Sequence, residues 1–100
     1  MPGVTRVVLS RRAREDLKRV WRHIAADSEA AADRVLLAID AKVERLAMFP
    51  LLGPTRDDIR PGVRMLVHGP RLVLYDYDAD ADVVEIVTVV EAMRDLDGLL

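Results

Sequence analysis

Apolar residues recur along this chain in two rhythms. Ala13, Leu17, Val20, Trp21 and Ile24 fall three or four apart, with arginines and acids between them. That spacing predicts an amphipathic helix of about four to five turns, because such residues share one helix face. Ser10 precedes the pattern, and its hydroxyl is suited to cap the first N–H groups. Asp27 and Ser28 interrupt it and offer a second cap. A second stripe, Ala32, Val35, Leu36, Ile39, Val43 and Leu46, belongs to a helix from about Glu29 to Met48. Phe49-Pro50 ends that helix, since proline disfavours helical geometry in the residue before it. So short a break between two helices folds them into an antiparallel hairpin.

The other rhythm is that of strands. Thr5 to Leu9 alternates weakly and predicts a short first strand. After a loop over Leu51 to Gly62, three more candidates follow: Val63 to His68, Arg71 to Tyr77 and Val83 to Val90. His68-Gly69-Pro70 makes a tight turn between the first two, and the acidic run DADAD joins the second to the third. Val83 to Val90 is apolar on both faces apart from Glu85 and Thr88, as expected of a strand in the middle of a sheet. Residues 92 to 100 suggest a last short helical turn. The fold class is therefore α+β: an N-terminal strand, then a helical hairpin packed on one face of a mainly antiparallel sheet that ends in a three-strand meander.

Length and composition agree with one domain spanning residues 1–100. At 51% hydrophobic and 32% charged residues, the chain has the makeup of a globular protein. It has no cysteine, which excludes disulfides, thiolate nucleophiles and cysteine zinc sites. No segment approaches the ~20 apolar residues of a membrane span, and the N-terminal apolar stretch is too short for a signal peptide. The expectation is a cytoplasmic protein without metal or cofactor.

Charge is distributed unevenly. Arg6, Arg11, Arg12, Arg14, Lys18, Arg19 and Arg22 face only Glu15 and Asp16 in the first part of the chain, whereas from Asp76 to Asp97 eight residues are acidic and only Arg94 is basic. Such a chain is able to meet an acidic partner at one surface and a basic one at another; a solvated helix surface explains the same pattern. Arg56, Arg60 and Arg64 cluster around the loop and the strand after it. They are candidates for engaging an acidic groove or phosphates, partly offset by Asp57 and Asp58.

Several stretches together resemble ParE-type toxins of the RelE/ParE superfamily. LSRRAREDLKRVWRHIA (Leu9 to Ala25) is similar to the first helix of that family through Leu9-Ser10, Ala13, Asp16-Leu17, Trp21 and Ile24-Ala25. RLAMFPLLGPTR (Arg45 to Arg56) resembles the helix end and loop through Leu46, Phe49-Pro50, Gly53 and Arg56. PGVRML supplies Arg64, and VVEIVTVVEAMRDL (Val83 to Leu96) supplies the last strand and Arg94-Asp95. The resemblance covers residues 5 to 97. It implies a toxin of a two-gene toxin–antitoxin module, neutralised by an antitoxin whose C-terminal part wraps the hairpin and is able to pair with the sheet. In that family, ParE relatives poison DNA gyrase and RelE relatives cut messenger RNA on the ribosome; one fold serves both.

Chemistry favours binding over catalysis. Cleaving RNA needs a base, an acid and cations at the phosphate. RelE relatives supply lysines and arginines on central strands and a tyrosine or histidine near the end of the last strand. Here that place is held by Glu91, which is able to act as a base but repels a phosphate. The only lysines, Lys18 and Lys42, fall on the helices. Arg64 and Arg71 are poor proton donors because arginine stays charged. His68 beside its turn reads as a solvated residue, His23 as a surface or hairpin contact, and Tyr75 and Tyr77, on one strand face, as core. No catalytic residue is assigned. The expected antitoxin groove is lined by Leu17, Trp21, Ile24, Leu36 and Ile39. The expected target surface is Arg56, Arg60, Arg64 and Arg94, although Arg94-Asp95 reads first as an internal ion pair or helix cap that ties the C-terminus to the sheet.

Three readings follow: a non-catalytic gyrase poison, a ribosome-dependent mRNA endonuclease, and a non-toxic module that keeps only antitoxin binding. The partners expected are an antitoxin, in a possible toxin–antitoxin hetero-oligomer, and DNA gyrase, with no membrane and no sequence-specific nucleic-acid contact.

Overall fold

The computed structural model describes residues 4–91. In chain order it holds β1 (Arg6–Leu9), α1 (Arg11–Ala25), α2 (Glu29–Glu44), a 3-10 turn (Arg45–Ala47), β2 (Arg64–His68), β3 (Arg71–Asp78) and β4 (Val83–Val90). The α+β architecture expected from the sequence is the one found. The four strands are ordered β1-β4-β3-β2. β4 is thus an inner strand, parallel to β1 and antiparallel to β3, while β2 and β3 form an antiparallel hairpin. Gly69, with φ +58, opens the two-residue β2–β3 turn and Pro70 follows, the order a type II′ turn requires.

Both helix starts use serine. Ser10 Oγ accepts from Ala13 N at 2.9 Å, and Ser28 Oγ accepts from Ala31 N at 3.1 Å. The second helix differs from expectation at its end. Regular α geometry stops at Glu44, and the chain tightens into a 3-10 turn before the Phe49-Pro50 break. The helices pack on one sheet face through Ala13, Ile39, Val43, Leu46, Val73, Tyr75, Val84, Ile86 and Val89. The opposite face carries a smaller cluster, Val63, Met65, Leu72 and Leu74, covered in part by Ile59 of the loop before β2.

α1 is locked to β4 by polar groups as well as apolar ones. Register passes from Leu74 opposite Thr88 to Tyr75 opposite Ile86, so Val87 is an extra, bulged residue. Ser10 meets this bulge: its N–H donates to Ile86 O at 2.9 Å and its hydroxyl to Val87 O at 2.7 Å. Two turns further on, Asp16 is only 4% exposed. Its Oδ2 accepts from Thr88 Oγ1 at 2.5 Å and from Val89 N at 3.0 Å, and its Oδ1 accepts from Arg19 at 3.0 Å. A buried carboxylate is tolerated here because donors surround it. The apolar rhythm gave Asp16 no role of its own, and the structure shows it buried against β4.

Candidate functional site

α1, α2 and β1 enclose a shallow, open groove of about 280 Å³, lined by Leu9, Leu17, Leu36, Leu37, Ile39, Asp40 and Val43. Three expected groove residues, Leu17, Leu36 and Ile39, come together there. Ile39 is its floor, almost fully buried, whereas Leu37 stands 69% exposed on the wall. Beside it, Leu9 also borders a recess walled by Arg11, Arg14, Glu15 and Lys18. An apolar trough therefore runs along a basic helix wall.

Trp21 and Ile24 lie outside the groove's lining. Trp21 is half-buried, and its indole N–H donates to Asp33 Oδ1 at 2.9 Å, tying α1 to α2. Leu37 and Leu9 were missed as groove residues. The available signal was the pair Leu36-Leu37, which widens the apolar face of α2 beyond its core stripe.

The expected target arginines all have internal partners where they are described. Arg56 makes a two-pronged contact with Asp58, at 2.9 and 2.7 Å. That pairing raises the Arg56 pKa and lowers that of Asp58, chiefly through the shared hydrogen bond. Arg60 reaches Asp76 at 2.8 Å. Arg64 donates to Gly53 O at 2.7 Å and Leu51 O at 3.3 Å. Arg94 lies outside the described residues, as does the terminal turn expected over 92 to 100.

Arg64 is half of a clamp. The other half is Tyr75, fully buried in the core, whose hydroxyl donates to Pro50 O at 2.9 Å and accepts from Gly53 N at 2.9 Å. Burial pushes the Tyr75 pKa up. Gly53 sits so close that a Cβ there would lie 2.6 Å from Met65 O. A second knot ties the start of β1 to β3 and the β3–β4 turn. Asp82 Oδ1 accepts from Thr5 Oγ1 at 2.7 Å and Tyr77 OH at 2.8 Å, which holds the Asp82 pKa below its usual value.

The possible acid–base groups divide between two places. Glu91 and His23 line a recess of about 570 Å³ between α1 and the end of β4, together with Arg12, Arg19 and Asp16. His68 is set opposite Arg71 across the β2–β3 ladder, and Leu72, next to Arg71, pairs with Val90, next to Glu91. Lys42 is committed elsewhere: its Nζ donates to Val67 O at 2.7 Å. Among the described residues no group of His, Asp and Glu is placed to hold a metal ion, and no helix is long and apolar enough to cross a membrane.

Sequence comparison resolves the family. A profile described as "ParE toxin of type II toxin-antitoxin system, parDE" matches residues 7–96. The chain belongs to the ParE toxin family of type II toxin–antitoxin systems. It is 34% identical over 94 residues to Toxin ParE3 of Caulobacter vibrioides, covering 93% of this chain and 86% of that one. Two solved structures share the ParE-family fold described above. One, of a chromosomal ParDE system from P. aeruginosa, has a TM-score of 0.75 at 20% identity, over 89% of this chain and 97% of the other. The second is from the toxin–antitoxin complex RelBE2 of Mycobacterium tuberculosis, with a TM-score of 0.65 at 25% identity, over 88% and 98%. The hairpin groove and the clamped loop are therefore features of a ParE-type toxin.

Proposed function

We propose that this ParE-family chain is a non-catalytic poison of DNA gyrase, held inactive by an antitoxin segment lying in the hairpin groove. The groove itself carries the antitoxin half of the reading. It presents Leu17, Leu36 and Leu37 beside the basic wall of Arg11, Arg14 and Lys18, so it suits an amphipathic helix with one apolar and one acidic face. The sheet edges favour continuation of that segment along β1. The outer edge of β2 is already occupied: Met65 N donates to Pro54 O, Val63 O accepts from Arg56 N, and Lys42 covers Val67 O. On β1, Arg6 N and Ser10 N point to β4, so the alternate residues Val7 and Leu9 turn their backbone groups outward.

Support for binding rather than catalysis at the target comes from the cations. Arg56, Arg60, Arg64 and Lys42 each hold another part of this chain. Where they remain accessible, they offer charge to a protein surface. The decisive measurement is a cleavage assay with purified gyrase, supercoiled plasmid and this protein, with and without antitoxin. Linear DNA that appears only without antitoxin is the expected result. Its absence, with protein shown to be folded, rejects gyrase as the target.

The RNA-cleaving reading stands second and rests on one observation, the neighbouring register of His68, Arg71 and Glu91 at one end of the sheet. Transcript mapping in expressing cells tests it: cuts confined to translated codons, abolished by His68→Ala or Glu91→Ala, favour this reading over the first. A module that only binds antitoxin, the third reading, predicts unchanged growth when the protein is expressed alone.

A further inference from the structure

Of the large apolar side chains exposed among the described residues, most lie in one short stretch. Met48, Phe49, Leu51 and Leu52 are 66, 57, 59 and 41% exposed. Four such residues within five positions are unusual for a surface with no partner. Nor is this a slack loop whose side chains failed to find the core. Phe49 N donates to Arg45 O and Leu52 N to Phe49 O. Tyr75 fixes Pro50 and Gly53, and Arg64 fixes Leu51 and Gly53. Two side chains reached from the sheet thus hold the apolar residues outward. Such preorganisation lowers the ordering entropy lost on binding.

The surroundings say what kind of partner fits. Arg45, Asp57 and Asp58 are exposed beside the loop, Arg56 is paired with Asp58, and Arg60 is paired with Asp76. This balanced rim gives little attraction for a polyanion such as nucleic acid or an anionic membrane. An apolar centre inside an arginine-bearing rim of mixed charge is the anatomy of a protein–protein contact. No residue of the loop lines the hairpin groove, so the loop and the antitoxin groove are separate surfaces.

We infer that the loop of Met48, Phe49, Leu51 and Leu52 is the surface by which this toxin engages its protein target, seated in an apolar pocket rimmed by charges of both signs. The inference rests on the reading of the chain as a target-poisoning toxin and names the contacting element. The test is the double variant Phe49→Ser/Leu51→Ser in the full chain, followed by growth arrest on expression, gyrase cleavage dose, antitoxin affinity by calorimetry, and thermal melting. Both side chains are exposed, so melting and antitoxin affinity are expected to stay close to wild type. The dose needed for cleavage is expected to rise roughly tenfold or more, as for loss of a central interface anchor. Should the pair melt early, Met48→Gln is read out in the same way.

Unchanged potency overturns the inference. So does antitoxin affinity that falls in step with potency, which gives the loop to the antitoxin. Wild-type self-association, or binding to anionic vesicles, that the variant abolishes assigns the loop to a second copy or to a lipid surface, and also overturns it. Wild-type protein that arrests growth without trapping gyrase defeats the gyrase reading, and loss of growth arrest in the variant then decides the loop. Wild-type protein that does neither defeats both.

Discussion

In the hairpin groove the exposed apolar side chains stand on regular helices; in the loop after α2 they stand on irregular backbone tied down by Tyr75 and Arg64. The groove is shallow and continuous with the core through Ile39. The loop exposes its apolar side chains, and polar contacts from the sheet fix its shape. The two surfaces therefore tolerate different changes. A helix keeps its course when one surface side chain changes, whereas a loop ordered by two side chains loses its shape when either is altered.

That contrast sets the expected effects. The largest belongs to the contact between α1 and β4. Asp16→Ala removes the acceptor of Thr88 Oγ1 and Val89 N, leaving buried donors unsatisfied at ~1–3 kcal/mol each. Chemical denaturation is expected to show a destabilisation of about 3 kcal/mol, with the helix side and the loop failing together. A value under about 1 kcal/mol means that water replaces the carboxylate.

Tyr75→Phe separates the two surfaces. It deletes the hydroxyl contacts to Pro50 and Gly53 without changing the ring, and a destabilisation of ~1–3 kcal/mol follows. Hydrogen exchange of the Leu52 and Gly53 amides is expected to rise while the α1 and α2 amides keep their protection. Alkali makes the same cut in the wild type. The folded-state Tyr75 pKa is raised, so its stabilisation is complete below the unfolded value near 10 and is lost as pH climbs through the folded value. The Tyr75→Phe variant lacks that component of alkaline destabilisation.

The smallest effect on stability, and the sharpest on the groove, is expected from Leu37→Gln. The side chain is exposed and glutamine is a comparable helix former, so stability shifts by no more than about 0.5 kcal/mol. Calorimetry is expected to show antitoxin affinity reduced by roughly tenfold, because a polar amide replaces the leucine's apolar surface against the partner, while gyrase potency holds. Equal affinity removes Leu37 from the interface.

The helices that frame the groove were legible in the sequence, its lining only in part, and the loop's exposed apolar surface was not. Ser10 and Ser28 announced the helix starts, the stripes placed Leu17, Leu36 and Ile39, and the run of Val83 to Val90, apolar on both faces apart from Glu85 and Thr88, announced an inner strand. Each of these signals is local. The features that escaped depend on distant partners: Asp16 with Thr88 and Val89, Tyr75 with Gly53 and Pro50, Lys42 with Val67. Period-based reasoning treats a carboxylate on a helix as solvated and a leucine in a loop as incidental, because it cannot see which strand will arrive beneath them. The arginines show the same limit. Arg56, Arg60 and Arg64 are close in sequence and suggest one shared surface, yet each closes a different internal contact.

The parallel pairing of β1 with β4 carries a consequence for how the protein comes into being. Both helices and two strands separate Arg6–Leu9 from its partner Val83–Val90 in the chain. The hairpin needs only neighbouring residues and is able to form early, but β1 has no strand to join until β4 has been made. Closing so long a loop is entropically unfavourable and comes late on topological grounds. Ser10 and Asp16 find their acceptors and donors on that same last strand. A ribosome that has not yet reached β4 therefore carries helices without a finished sheet beneath them, and β1 waits without the strand that holds it.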